Sequence, residues 1–146
     1  MAVVILSAML IVRMAWPTEI VAVHVSRSDY AFRIIIKNPP LTDQGKIGWW
    51  IENKRYFKDK YNVPVGEKDY SISFWVSDYK VDSGTDQDSD LLCFDDMDTP
   101  ANCIEKNNNP LTVWYRHDTN QMLIFLNNGK TKWLRNDITG RMRLVD

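Results

Sequence analysis

The sequence predicts an α+β protein: an N-terminal membrane helix followed by a small domain with an antiparallel meander sheet and one main helix. Three observations carry this prediction. Residues 1–16 hold a single charged side chain, Arg13, in an otherwise apolar run that Pro17 ends. Beyond it, short segments alternate apolar and polar side chains with the period of a strand. Between Thr42 and Tyr61 alone, the apolar positions fall with the period of a helix.

The N-terminal run MAVVILSAMLIV, continued by Met14, Ala15 and Trp16, has four readings. A buried strand or helix is the plain one. A secretory signal lacks its basic n-region and a clean cleavage site here, and a lipoprotein anchor would need a cysteine. The reading favoured is an uncleaved, single-pass membrane anchor with Arg13 snorkelling and Trp16 at the interface. As a helix it would span about 24 Å, against roughly 30 Å of hydrocarbon. Its shortness and missing basic residues point to a start upstream of Met1. Residues 17–146 then form a single periplasmic domain.

Glu19–Val25 and Tyr30–Asn38 alternate as two strands joined by the polar turn Ser26–Asp29, an antiparallel hairpin that Pro39 and Pro40 terminate. In the helix, Ile47, Trp50, Ile51, Phe57 and Tyr61 share one face, bordered by Lys54 and Lys58. Thr42 or Asp43 is the N-cap, and Asn62 with Pro64 is the stop. Gly45 and Gly48 weaken the first turns by about 1 kcal/mol each relative to alanine. Strands resume at YSISFWVSDY (Tyr70–Tyr79), near Leu91–Phe94, and at Leu111–His117, Gln121–Leu126 and Thr131–Arg135. Asn128-Gly129 marks a type I′ hairpin between the last two, and Arg141–Val145 adds a final strand.

Composition excludes some function classes. The net charge of −1 is dispersed, so no electrostatic footprint for nucleic acid exists. The aromatic content of 12%, with six Trp and six Tyr, suits a packed β-rich core and equally an interface. No nucleophile elbow, phosphate-binding glycine loop, HExxH or CxxC occurs, and no cofactor is implied. Asp86, Asp88 and Asp90 have the opening spacing of a calcium loop. Leu91 stands where that loop needs glycine and Met97 where it needs glutamate, which leaves a looser cation site or, by default, a solvated loop. His24 and His117 with two cysteines give no closed zinc set.

Cys93 and Cys103 read as reduced bystanders, as a redox pair, or as a structural disulfide. The disulfide is favoured if the anchor places the domain outside the cytoplasm. Closing that loop would stabilise the fold by roughly 2–3 kcal/mol.

The segments EIVAVH (Glu19–His24), KNPPLTDQGKIGWWIENK (Lys37–Lys54), KYNVP (Lys60–Pro64) and LLCFDDM with NCIEKN (Leu91–Asn107) resemble a family of small enterobacterial membrane proteins of unknown function. The resemblance implies a single N-terminal membrane helix, usually preceded by lysines that this chain lacks, and a periplasmic domain. It implies no catalytic residue.

The functional expectation is a membrane-tethered periplasmic binding protein, in its specific form an immunity protein that neutralises a secreted toxin. The link to type VI secretion is one of analogy. A protein partner would meet Trp75, Trp114 and the carboxylates Asp86, Asp88, Asp90, Asp95 and Asp96. Burial of the two tryptophans is the competing reading. The alternatives are an envelope enzyme using Asp95 or Asp96 with His117 or Glu105, and a structural envelope component.

Overall fold

The computed structural model describes residues 17–26, 28, 30–85 and 90–146. The expected anchor lies outside them, and no helix among the described residues is long and apolar enough to cross a membrane.

Strands β1 (Glu19–Ser26) and β2 (Ala31–Lys37) form the predicted antiparallel hairpin, with Val23 opposite Ile34. An irregularity between Ile20 and Ala22 resets the alternation, so Ile20 and Val23 both reach the main core. Helix α1 (Asp43–Tyr61) begins where the capping chemistry places it: the Gly45 N–H donates to Thr42 Oγ1 at 3.0 Å. A Cβ on Gly45 would stand 2.8 Å from that oxygen, so the residue that weakens the helix is the one that lets its cap close. Asn62, left-handed at φ 58°, ends the helix by donating its N–H to the Lys58 carbonyl.

Strand β3 (Tyr70–Trp75) corrects the expected all-antiparallel meander. It runs parallel to β2, with Ile34 opposite Phe74. Parallel neighbours need a long crossover, and α1 is that crossover. Two short strands, β4 (Leu91–Cys93) and β5 (Cys103–Glu105), form a separate hairpin. Strands β6 (Leu111–Arg116), β7 (Gln121–Leu126), β8 (Thr131–Asn136) and β9 (Met142–Val145) are the meander as predicted. Asn128 and Gly129 both take positive φ, 59° and 79°, in the turn between β7 and β8. The main sheet has seven strands in the order β1-β2-β3-β6-β7-β8-β9.

Helix α1 covers one face. Trp50 and Phe57 are fully buried against Ile34, Phe74, Val113 and Ile124. The Trp50 indole N–H donates to Met122 Sδ at 3.3 Å. Ile51 and Tyr61 pack at the edge of this core, as does Trp49, which the predicted stripe omits. Lys54 is tied down rather than merely bordering the stripe. Its ammonium donates to Asp137 Oδ1 at 2.6 Å, and Arg135 pairs with the same, largely buried carboxylate. These contacts fasten the helix to the turn between β8 and β9.

Replacing Trp50 with alanine is expected to cost about 3–5 kcal/mol in urea unfolding, because cavity and lost transfer energy add. Tyr70 behaves differently. Its buried hydroxyl finds no hydrogen-bond partner among the described residues. Burial, then the charges of Asp137 and Tyr115, push its pKa above the ordinary 10.0. The folded state therefore holds that proton more tightly than the unfolded chain. This contribution is complete below pH 10 and is lost as pH rises beyond it. Tyr70→Phe is expected to raise stability by about 1 kcal/mol at neutral pH. It should also blunt the alkaline loss, read from urea midpoints between pH 7 and pH 11.

Candidate functional site

The second face of the sheet is divided in two. Over β1–β3 it is roofed by the β4–β5 hairpin, whose Phe94 and Ile104 bury against Ile35 of β2, with Trp75 and Tyr79 packed alongside. Cys93 and Cys103 stand opposite each other in that hairpin and are joined, with S–S 2.08 Å. The main-chain groups of Cys103 turn away from Cys93. Its N–H donates to the Lys80 carbonyl at 3.1 Å and its carbonyl accepts from the Lys80 N–H at 2.7 Å.

A polar chain locks this roof to β1. His24, 7% exposed, stacks on the Phe94 ring with centroids 3.7 Å apart. Its Nδ1 lies 2.8 and 2.9 Å from the two Asp96 carboxylate oxygens. An ionised carboxylate can only accept, so Nδ1 carries a proton. Nε2 meets the Tyr79 hydroxyl at 2.8 Å, and in the neutral ring it accepts from that hydroxyl. Burial, then the Asp96 charge, raises the Tyr79 pKa, which keeps the hydroxyl protonated as a donor. The arrangement has the order of a carboxylate–histidine–hydroxyl relay. Its hydroxyl is made less acidic, however, and the histidine is shielded by Phe94. What it does is hold the hairpin down.

Over β6–β9, among the described residues, no strand or helix covers the same face, and its apolar side chains are exposed (Trp114) or partly buried (Leu123, Phe125, Leu134). Trp114 is 52% exposed and meets Phe125 edge-on at 4.7 Å. Cross-strand register places Leu123 beside Trp114 and Leu134 beyond it, so Trp114, Leu123, Phe125 and Leu134 make one apolar patch. Lys132 sits 6.0 Å from the Phe125 ring centre, and Arg143 is opposite Leu134. Arg116 closes one end, paired with Asp118 at 2.9 Å. Strands β6–β9 contain no aspartate or glutamate.

Residues 1–142 match the family described as "Enterobacterial putative membrane protein (DUF943)". The chain belongs to this family. No curated protein and no solved structure matches it. Membership of DUF943 agrees with the resemblance read from Lys37–Lys54 and the cysteine segment, and it describes a membrane protein whose function is open.

The structure distributes the expected contact residues of this DUF943 chain unevenly. Trp75 and Trp114 share one face, but Trp75 packs under the hairpin while Trp114 lies in the open. Asp95 is exposed, and Asp96 is held by His24. Asp90 is exposed in the turn before β4, and Asp86 and Asp88 lie outside the described residues. For the acid–base set of the enzyme alternative, the partner of Asp96 is His24 rather than His117 or Glu105. The His117 backbone N–H donates to Asp69, and Glu105 accepts from Lys80 and Asn107. Among the described residues, one metal-capable grouping occurs, Asp82 with Cys93 and Cys103. Both of its sulfurs are committed to the disulfide and offer no thiolate.

Sequence reasoning weighed His24 with His117 and the cysteines and missed its partners. Asp96 and Tyr79 lie 72 and 55 residues away in the chain, and no local spacing could connect them. Reduction of the disulfide is expected to cost roughly 2–3 kcal/mol. His24→Ala should cost about 2 kcal/mol, since it removes the buried ring stacked on Phe94 and takes the acceptor from the Tyr79 hydroxyl. Because both devices hold the same hairpin, their combined effect should fall short of the sum. Urea midpoints of both proteins with and without reductant test this; strict additivity would show that the histidine and the disulfide act on separate units.

Proposed function

We propose that this chain is a membrane-tethered binding protein that holds an acidic protein partner against the open half of its sheet. The carrying observation is the patch of Trp114, Leu123, Phe125 and Leu134 on a face where alternation would otherwise place polar side chains. Such a face in an antiparallel sheet is ordinarily solvated and polar. Its charges select the partner: Lys132 and Arg143 flank the patch, with no acidic residue on these strands. Tryptophan and arginine at the centre of a patch are the residues that contribute most to binding. Trp114, rather than the acidic loops, is therefore the centre of the contact.

The finer form of the proposal is a single pass in the inner membrane, the domain in the periplasm, and a secreted toxin as partner. The disulfide supports an oxidising compartment. The toxin follows the analogy with small envelope-anchored proteins that block toxins by occlusion.

The test is protection of cells from a toxin encoded beside this chain, together with the affinity of the purified pair. Trp114→Ala should weaken binding at least tenfold, about 1.4 kcal/mol or more. It should change thermal stability little, since the ring is half in solvent. Lys132→Glu should weaken binding and flatten its salt dependence. Unaltered binding by both variants would remove this face from the reading, and no protection by the native chain would remove the toxin.

A further inference from the structure

At the end of the sheet where β2 and β3 finish, three segments rich in asparagine, proline and lysine come together: residues 38–46, 107–110 and 127–130. They line an open pocket of about 300 Å³ that shares no lining residue with the apolar patch of the open face. Its walls are fixed by amides. Asn109, buried, donates to the Phe74 carbonyl at 2.8 Å and accepts from Thr112 at 3.0 Å. Asn128 accepts the Asn109 N–H at 2.7 Å and donates to the Asn107 carbonyl at 3.1 Å. The asparagines also supply the turn itself, with Asn127 and Asn128 at positive φ.

The pocket holds a buried lysine. Lys46, on the first turn of α1, is 9% exposed and lies on the same helical face as the fully buried Trp50 and Phe57. Its ammonium has three N–H donors. Among the described residues it has one hydrogen-bond acceptor, the neutral Asn127 Oδ1. The nearest carboxylate, Asp43, is 3.9 Å away, half-exposed, and accepts a hydrogen bond from Asn127 at 2.9 Å instead. A buried cation whose nearest carboxylate stands 3.9 Å away and half in solvent is only weakly compensated. Lys130 adds a second ammonium at the rim, and Pro39, Pro40 and Pro110 add apolar wall.

We propose that this pocket binds the oxyanion group, carboxylate or phosphate, of a small ligand whose remainder lies on the prolines. The anion completes the hydrogen bonding of Lys46 and pairs with Lys130. The site is independent of the protein contact proposed for Trp114, and each stands or falls alone.

The experiment is an amide chemical-shift titration of the full chain in non-ionic detergent with three probes. These are inorganic phosphate, N-acetylalanine, and the uncharged N-acetylalanine amide. Saturable shifts confined to residues 38–46, 107–110 and 127–130 are expected with an anion and not with the amide. N-acetylalanine alone would identify a carboxylate site, and phosphate alone a phosphate site. Lys130→Gln, at an exposed position that leaves the fold intact, should weaken the effective anion about tenfold. Lys46→Met should abolish its binding while the remaining spectrum is kept. Should Lys46→Met unfold, Lys130→Gln decides alone. The proposal is overturned by an absence of saturable shifts, by equal response to the amide, or by binding that Lys130→Gln leaves unchanged.

Discussion

Trp50 lies fully buried between the helix and the sheet, its ring close to those of Phe57, Tyr70 and Phe74 and its N–H on the Met122 sulfur. The contact bears on everything else because one helix must cover a wide sheet. Seven strands at about 4.8 Å spacing span roughly 29 Å, whereas a helix with its side chains is about 10–12 Å across. Large side chains make up the difference. Trp49 and Trp50 reach across β3 and its neighbours, and Trp133 of β8 packs in from the sheet itself. Coverage thins beyond β8, where Leu144 on β9 is exposed. The Lys54–Asp137–Arg135 cluster sits at that limit and fixes by charge what apolar cover no longer holds.

The crossover that carries Trp50 also orders the sheet. Once α1 connects β2 to β3 in parallel, with β1 on the other side of β2, the far side of β3 is open for the chain to continue. The meander β6–β9 does so, while β4 and β5 leave the sheet for its second face. There they bury Ile35, which shares its face of β2 with Arg33 and Lys37. The run Ile34-Ile35-Ile36 requires cover on both sides, and the hairpin supplies the second. Its own apolar contribution is small, so it is held by a disulfide and by His24.

Much of this was legible. Helix limits followed from Thr42 and Asn62, the β7–β8 turn from Asn128-Gly129, and the strands from their alternation, because each depends on residues a few positions apart. Pairing partners do not. Nothing in the period of Tyr70–Trp75 tells whether it lies parallel or antiparallel to β2, and Cys103–Glu105 is too short to alternate. Asp96 was singled out, yet a carboxylate offers no sign of which distant histidine it will meet. Lys46 was not singled out, and its one side-chain hydrogen bond is to a loop 81 residues away.

The open half of the second face has its own logic. On the roofed half, the alternation is completed by Phe94 and Ile104, so its apolar residues are accounted for within the chain. On the other half, Thr112, Gln121, Asn136 and the cations suit water, whereas Trp114, Leu123, Phe125 and Leu134 do not. A single exposed apolar residue needs no explanation, but a contiguous group with cationic borders does. Stability alone favours polar residues at those positions, since none of the four joins the main core. Their presence is more economically explained by contact with another molecule than by folding, and the one-sided charge of β6–β9 restricts which molecule that is.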